Sequence, residues 1–350
     1  MSKKVTILFN EPVPDVYRQK LQGRTDFSYD ENKLLESYEW VLYEFNLMRE
    51  ELEKSGYRAT MHNIEDNLDL FLQLIRDEKP DVIFNCVEVF YQLSILEMTV
   101  AGLYEMLGIP FTGSSAGTLA NCQNKRLTKR IVASHGVQTP RDVLFKSIQE
   151  SYPHDLRYPL IAKPALEDSS NGVDFNGLIY SEEDLRYRVE KIIRELNQPV
   201  LVEEYIDGRE INVAVFGDNP YEMYKLSEID FSTLPPDLPR IVSYQAKWED
   251  DHETYHKTVA ICPAPVSEEI ESRFRDIAIR VCTAMGVRDY TRIDFRLTPD
   301  NEIYFLEVNP NPDLSEGTGF MRSAAASGFG PTEILGKIVE LALKRGAKKI

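Results

Sequence analysis

Apolar residues fill positions 5–9 without a break and dominate 81–85, which predicts two strands buried on both faces of a parallel sheet. Between them the period lengthens. Residues 32–55 carry a helical stripe that stops at Gly56, and 68–76 carry another ahead of Pro80. A helix over 96–107 and a strand at 109–111 complete the alternation, so the first part of the chain reads as a doubly wound α/β domain. The turn after the first strand, Asn10-Glu11-Pro12-Val13-Pro14, lacks the glycines of GxGxxG, which removes the case for a dinucleotide there.

The turn Thr112-Gly113-Ser114-Ser115-Ala116-Gly117 closes that domain, and a helix with Lys125, Lys129 and Arg130 follows, ended by Gly136 and Pro140. Short strands are expected at 158–164, 177–180 and 200–206, with a helix over 181–196 capped by Ser181. Beyond Glu210 come a strand at 211–216, a long loop over 231–256, a helix over 267–285, a strand pair, and a closing helix over 331–345. Three domains are expected on this pattern, at 1–118, 119–206 and 207–350.

The strand pair carries the densest chemistry. Arg292-Ile293-Asp294-Phe295-Arg296-Leu297 and Ile303-Tyr304-Phe305-Leu306-Glu307-Val308-Asn309 flank the turn residues Thr298-Pro299-Asp300-Asn301, which predicts an antiparallel hairpin. Side chains repeat every two residues, so Glu307 and Asn309 share a face and the partner strand brings Asp294 opposite them. Two carboxylates and one amide form a hard oxygen set suited to Mg²⁺ or Mn²⁺ rather than zinc. An exposed hairpin with ordinary polar positions would carry the same letters. Lys163 ends an apolar strand and precedes a small-residue loop with Ser169, Ser170 and Gly172, a composition able to fold over polyphosphate, although a plain strand end reads the same way. The acidic stretch 203–210 is either a linker or a nucleotide-binding hinge.

A formal charge of −17 over 350 residues argues against a nucleic-acid or anionic-membrane partner. Cys86, Cys122, Cys262 and Cys282 show neither a CxxC pair nor a histidine at ligand spacing, so no zinc site or disulfide framework is signalled. No apolar stretch is long enough for a membrane span, and a cytoplasmic protein is expected.

In order along the chain, a helix lysine, a strand lysine, a Ser/Gly loop, an acidic hinge, an arginine and an Asp…Glu-x-Asn trio resemble the ATP-grasp superfamily, and within it the D-alanine–D-alanine ligase group, over about 81–327. The resemblance implies an α/β, ATP-grasp fold behind an N-terminal doubly wound domain, with ATP and two Mg²⁺ (or Mn²⁺) ions per site. It matches Lys125 and Lys163 to phosphate-contacting lysines, and Ser169, Ser170 and Gly172 to the phosphate-covering loop. Glu203, Tyr205 and Ile206 match the adenine hinge, Glu210 the ribose carboxylate, and Lys247 a lysine closing on the terminal phosphate. Arg292 matches the arginine that stabilises transferred phosphate, and Asp294, Glu307 and Asn309 the metal ligands, with Glu307 bridging.

Substrate positions depart from that pattern. Only Glu11 stands in for the group's N-terminal catalytic glutamate, Trp248 stands where its loop tyrosine does, Asp313 aligns with an oxyanion-site glycine and Thr318 with a carboxylate-binding serine; Arg322 is a further candidate for a substrate carboxylate. The expected activity is ligation of an amino-acid or peptide carboxylate to an amine, on a substrate pair other than that of cell-wall synthesis. A phosphotransferase on the same scaffold and a nucleotide-binding regulator are the alternatives, and a homodimer is implied by resemblance alone.

Overall fold

The computed structural model describes residues 2–11, 31–91, 93–166, 177–235, 238–241 and 258–347, with only the backbone given for 31–37 and 347. The chain forms two compact units, one from residues 1–116 and 329–350, the other from residues 117–328.

In the first unit, strands β1 (Lys4–Phe9), β2 (Arg58–Asn63) and β3 (Val82–Cys86) make a parallel sheet in the order β2-β1-β3. β1 lies in the middle with Val5, Ile7 and Leu8 wholly buried, which is why its apolar run is continuous rather than alternating. Parallel neighbours need crossovers, and α1 (Glu31–Lys54) and α2 (Leu68–Glu78) provide them. The Asn67 side chain accepts from the Leu70 amide and so caps the start of α2. After α3 (Glu97–Leu107), Phe111 bridges in parallel to Ile83.

The closing helix, Pro331–Ala347, lies in this unit, whereas its place in the sequence had grouped it with 207–350. Ser55 donates to the Thr332 carbonyl at 2.5 Å, Thr332 bonds the Glu51 carboxylate, and Arg345 donates to the Phe111 carbonyl at 2.8 Å. Ile334, Leu335, Ile338 and Val339 are buried along its apolar face. Periodicity identifies such a face but not the domain that receives it.

The second unit begins with α4 (Ala116–Gln123) and α5 (Lys125–Ser134). Strands β4 (Asp142–Phe145), β5 (Leu160–Pro164), β6 (Leu178–Ile179) and β7 (Val200–Glu204) form an antiparallel sheet in the order β4-β7-β5-β6, with α6 (Glu182–Leu196) between β6 and β7 in the chain. Then follow β8 (Arg209–Gly217), β9 (Tyr221–Met223), β10 (Ser227–Asp230), β11 (Val259–Ile261), α7 (Glu268–Met285), β12 (Asp289–Leu297), β13 (Ile303–Asn309) and α8 (Gly319–Ala326). Their strands run β11-β10-β8-β12-β13, all antiparallel, with β9 attached to β8.

One apolar cluster gathers Ile211 and Val213 of β8, Ile293, Phe295 and Leu297 of β12, and Ile303, Phe305 and Val308 of β13 with Phe274, Ala278 and Val281 of α7. Phe295 meets Phe274 and Phe305 edge-on, at centroid separations of 5.5 and 6.0 Å. With that face committed to the core, the other face of β12 is left for polar residues.

Gly208 joins the two sheets at φ +152°, where a β-carbon would lie 2.3 Å from the Leu297 carbonyl oxygen. Gly208→Ala is therefore expected to cost at least about 2 kcal/mol through backbone strain and displacement of the β12 end. Urea unfolding measures this, and an unchanged midpoint would contradict the close approach.

Candidate active site

On its polar face β12 presents Arg292, Asp294 and Arg296 at every second position, and the register gives each a row of partners. Arg296 stands between Glu210 on β8 and Tyr304 on β13; Asp294 stands between Asn212 and Glu307; Arg292 stands between Ala214 and Asn309. The hairpin expected from the turn chemistry is thus present, but its second strand is not the unbroken alternation the sequence suggested. A bulge falls between the Asp294 and Phe295 pairings. Ile303 and Phe305 face the core, and strict alternation would carry Glu307 and Asn309 in after them. The extra residue places Val308 in the core cluster instead and leaves Glu307 and Asn309 only partly buried.

Asp294, 6 % exposed, is held from three directions. Arg292 donates through Nε to Oδ1 at 2.9 Å and through Nη2 to Oδ2 at 3.0 Å; Asn212 donates to Oδ1 at 2.7 Å and Asn309 to Oδ2 at 3.2 Å. Glu307, directly across from Asp294, accepts from Lys125 of α5 at 3.3 Å. Burial alone would make Arg292 easier to deprotonate, but the charges of Asp294, Glu307 and Glu210 outweigh it and raise its pKa.

A second group of charges lies on the β4-β7-β5-β6 sheet. Glu203 of β7, 2 % exposed, is bonded by the buried Lys129 of α5 and paired with Lys163 of β5 at 2.6 Å. Lys163 reaches it diagonally, because the residue directly opposite Glu203 is Ile161. Lys129 also donates to the Pro140 carbonyl at 2.8 Å. Burial works to raise the Glu203 pKa, yet the two lysines hold it down at about 2.

Downstream, the Tyr205 amide donates to the Pro159 carbonyl at 3.0 Å, its ring lies beside Arg296, and Ile206 is half-buried. Glu210 pairs with Arg296 at 3.0 Å. Asp313, exposed, accepts from the amide and the hydroxyl of Ser315 at 2.8 Å, and the Thr318 hydroxyl contacts the carbonyls of Asp313 and Ser315 at 2.8 and 2.9 Å, so this loop's hydrogen bonds are largely internal. Arg322 donates to the Ser227 hydroxyl at 3.2 Å, and its guanidinium and that of Arg292 both approach Gly319. Glu11 belongs to the first unit; its amide donates to Asn63 at 3.0 Å, and burial raises its carboxyl pKa. Ser169, Ser170, Gly172, Lys247 and Trp248 lie outside the described residues.

Asn212, Lys129 and Arg296 were not singled out for roles in the sequence. Asn212 and Arg296 had a signal: each is a polar residue at the alternate positions of an otherwise apolar strand. Lys129 had only its place one turn after Lys125.

Asp294, Glu307 and Asn309 supply hard oxygen donors from adjacent strands, a set that fits Mg²⁺. Among the described residues no group of three or more His, Cys, Asp or Glu side chains is arranged to hold a metal ion, and this trio counts only two of those residue types.

The family model for the C-terminal part of D-alanine–D-alanine ligases matches residues 131–340. The chain belongs to the D-alanine–D-alanine ligase family. It is 31% identical over 246 residues to the uncharacterized protein y4sG of Sinorhizobium fredii, covering 70% of each chain. It is 30% identical over 290 residues to the D-alanine–D-alanine ligase of Syntrophotalea carbinolica, covering 82% of this chain and 86% of that one. The D-alanine–D-alanine ligase of Bacillus anthracis, solved with ATP, superposes with a TM-score of 0.74 over 99% of both chains at 19% identity, a likeness of fold. The architecture is ATP-grasp, as expected, and family membership makes the protein an ATP-dependent ligase of the C–N bond-forming kind. Family enzymes use ATP and Mg²⁺. Among the described residues no helix is long and apolar enough to cross a membrane.

Glu203 makes one test available. Its pKa is about 2 in the folded chain against 4.5 for an ordinary glutamate, so the stability it adds is complete above about pH 4.5 and is lost as pH falls through about 2. Glu203→Gln should flatten that part of the melting temperature against pH curve. At neutral pH it should cost about 3 kcal/mol, because Lys129 is left buried with only the more distant Asp142, 3.9 Å away, as a charge partner. Parallel curves for the two proteins would refute the pairing.

Proposed function

We propose that the chain joins an amino acid or small peptide to an amine, activating the carboxylate as an acyl phosphate at the expense of ATP. The observation that carries this is the row of Arg292, Asp294, Glu307 and Asn309 on one polar face, with Lys125 bonded into it. Along β12 the rows succeed one another about every 7 Å, two residues apart. Glu210 would accept from ribose hydroxyls at one end, Asp294, Glu307 and Asn309 would hold two Mg²⁺ ions with Glu307 shared, and Arg292 would meet the transferred phosphate at the other end. When bound, the ions would draw charge from the phosphate oxygens and screen them from the incoming carboxylate.

A substrate carboxylate oxygen attacks the γ-phosphorus and ADP leaves. The amine nitrogen then adds to the acyl-phosphate carbonyl and gives up a proton, and inorganic phosphate departs as the amide forms. Arg292, fixed by two bonds to Asp294, is preorganised for charge that develops in both steps. Lys125, Lys163 and Lys247 would counter triphosphate charge, with Ser169, Ser170 and Gly172 covering it. Backbone groups near Glu203, Tyr205 and Ile206 would meet the adenine. Glu11 would hold the first substrate's amino group.

Substrates other than two D-alanines are favoured by the residues around Asp313 and Thr318. Aspartate replaces glycine at 313, and the Thr318 hydroxyl lies against two carbonyls of its own loop. Arg322, about one turn further, offers a guanidinium for a carboxylate instead. A homodimer through the first unit is part of the same proposal by family resemblance.

The decisive assay is Mg²⁺-dependent ADP release over amino acids and dipeptides, alone and in pairs, with mass spectrometry of the products. ADP formation that needs both a carboxylate and an amine, with an amide produced, is expected; a stable phosphorylated product would mark a phosphotransferase. Asp294→Ala and Glu307→Ala should each lower kcat by about 10³-fold or more with the circular dichroism spectrum unchanged. Full activity in either variant would overturn the metal assignment.

A further inference from the structure

Arg296 is a cation in the wrong place for a simple strand residue. Its neighbours Phe295 and Leu297 face the core, its own side chain is only 4% exposed, and a buried guanidinium is costly unless its donors are satisfied. The fold satisfies them with three acceptors from two other segments, 208–210 and 238–241. Nη1 donates to the Gly208 carbonyl at 2.9 Å, Nη2 donates to the Arg240 carbonyl at 2.5 Å, and Nη2 lies 3.0 Å from Oε2 of Glu210. The guanidinium carbon lies 5.8 Å from the Tyr205 ring centre and 5.5 Å from that of Phe231, within cation–π range of both. Position 208 has no room for a side chain, because a β-carbon there would lie 2.3 Å from the Leu297 carbonyl oxygen.

We propose that Arg296 is a positioning residue of the nucleotide site, one that presets the Glu210 carboxylate and the 205–208 hinge for a ribose. This rests on the proposed ATP reading of that site. A carboxylate on a flexible side chain must lose rotational freedom when it binds a diol. Here the ion pair of Arg296 with Oε2 imposes that order in advance, and the two hydrogen bonds to carbonyls anchor Arg296 itself to the hinge and to the 238–241 segment. Lysine cannot make the same set of bonds, since one ammonium cannot span three acceptors held by a planar fork.

The test compares binding of ATP, 2′-deoxy-ATP and 3′-deoxy-ATP, each with Mg²⁺, by calorimetry to the full-length chain and to Arg296→Met, Arg296→Lys, Glu210→Gln and the Arg296→Met/Glu210→Gln double variant. The unaltered protein should favour ATP over the deoxy analogues by about tenfold or more. Arg296→Met should weaken ATP about tenfold and the analogues less than about twofold, so that preference for the full ribose collapses. The double variant should be no weaker than Arg296→Met, because both changes remove one coupled unit. Arg296→Lys should fall between, and KM for ATP should rise by a larger factor than kcat falls. Equal weakening of all three nucleotides, or retained ribose preference in a variant with a native circular dichroism spectrum, would overturn the role of Arg296 while leaving the ATP site standing. If Arg296→Met does not fold, Arg296→Lys decides alone: full ribose preference in it refutes the proposal. Absence of any nucleotide binding by the unaltered protein would overturn the ATP reading and this inference together.

Discussion

A carboxylate that leaves water must find positive charge, and the polar faces of both sheets in the second unit are organised by that requirement. Asp294 has Arg292, Glu307 has Lys125, Glu210 has Arg296, and Glu203 has Lys129 and Lys163. Asp142 and Glu204 repeat the pattern with Arg126 and with Arg141 and Arg157. Apart from Arg292 and Asp294, which share β12, these pairs join different segments, so electrostatic neutrality within the sheets also fixes where helix α5, the strand ends and the hinge stand relative to one another. On the proposed reading, a triphosphate approaching this face would meet cations that are already oriented, although each is partly committed to a carboxylate. Binding would redistribute those pairings rather than create them, which would keep the cost of reorganisation low.

Much of the architecture was legible from spacing. The continuous run at 5–9 announced a strand covered on both sides, and the turn chemistry at 298–301 announced the hairpin. What spacing could not reveal was the bulge, because a two-residue period over Ile303, Phe305, Glu307 and Asn309 looks regular until one asks which face is apolar. Asn212 and Arg296 escaped notice for a related reason. Their importance lies in what stands across from them, and partners on β8 and β12 are separated by roughly eighty residues of chain, a relation set by sheet register and invisible in local pattern. The residues proposed to hold metal were easier to pick out, since Asp294, Glu307 and Asn309 crowd into one hairpin. Their order among the other motifs, more than any single motif, pointed to the family.

The closing helix has a bearing on how the molecule comes into being. Its residues, 331–347, complete the unit begun by β1, while 117–328 form a unit of their own in between. A ribosome releases the chain in order, so the ligase lobes can emerge and fold while the opening sheet still lacks its last covering helix. Glu51, Ser55 and Tyr57, which this helix contacts, must wait without it through the translation of more than two hundred residues. Completion of the unit that holds β1 thus waits until the whole of the 117–328 unit has been made, although its sheet precedes that unit in the chain.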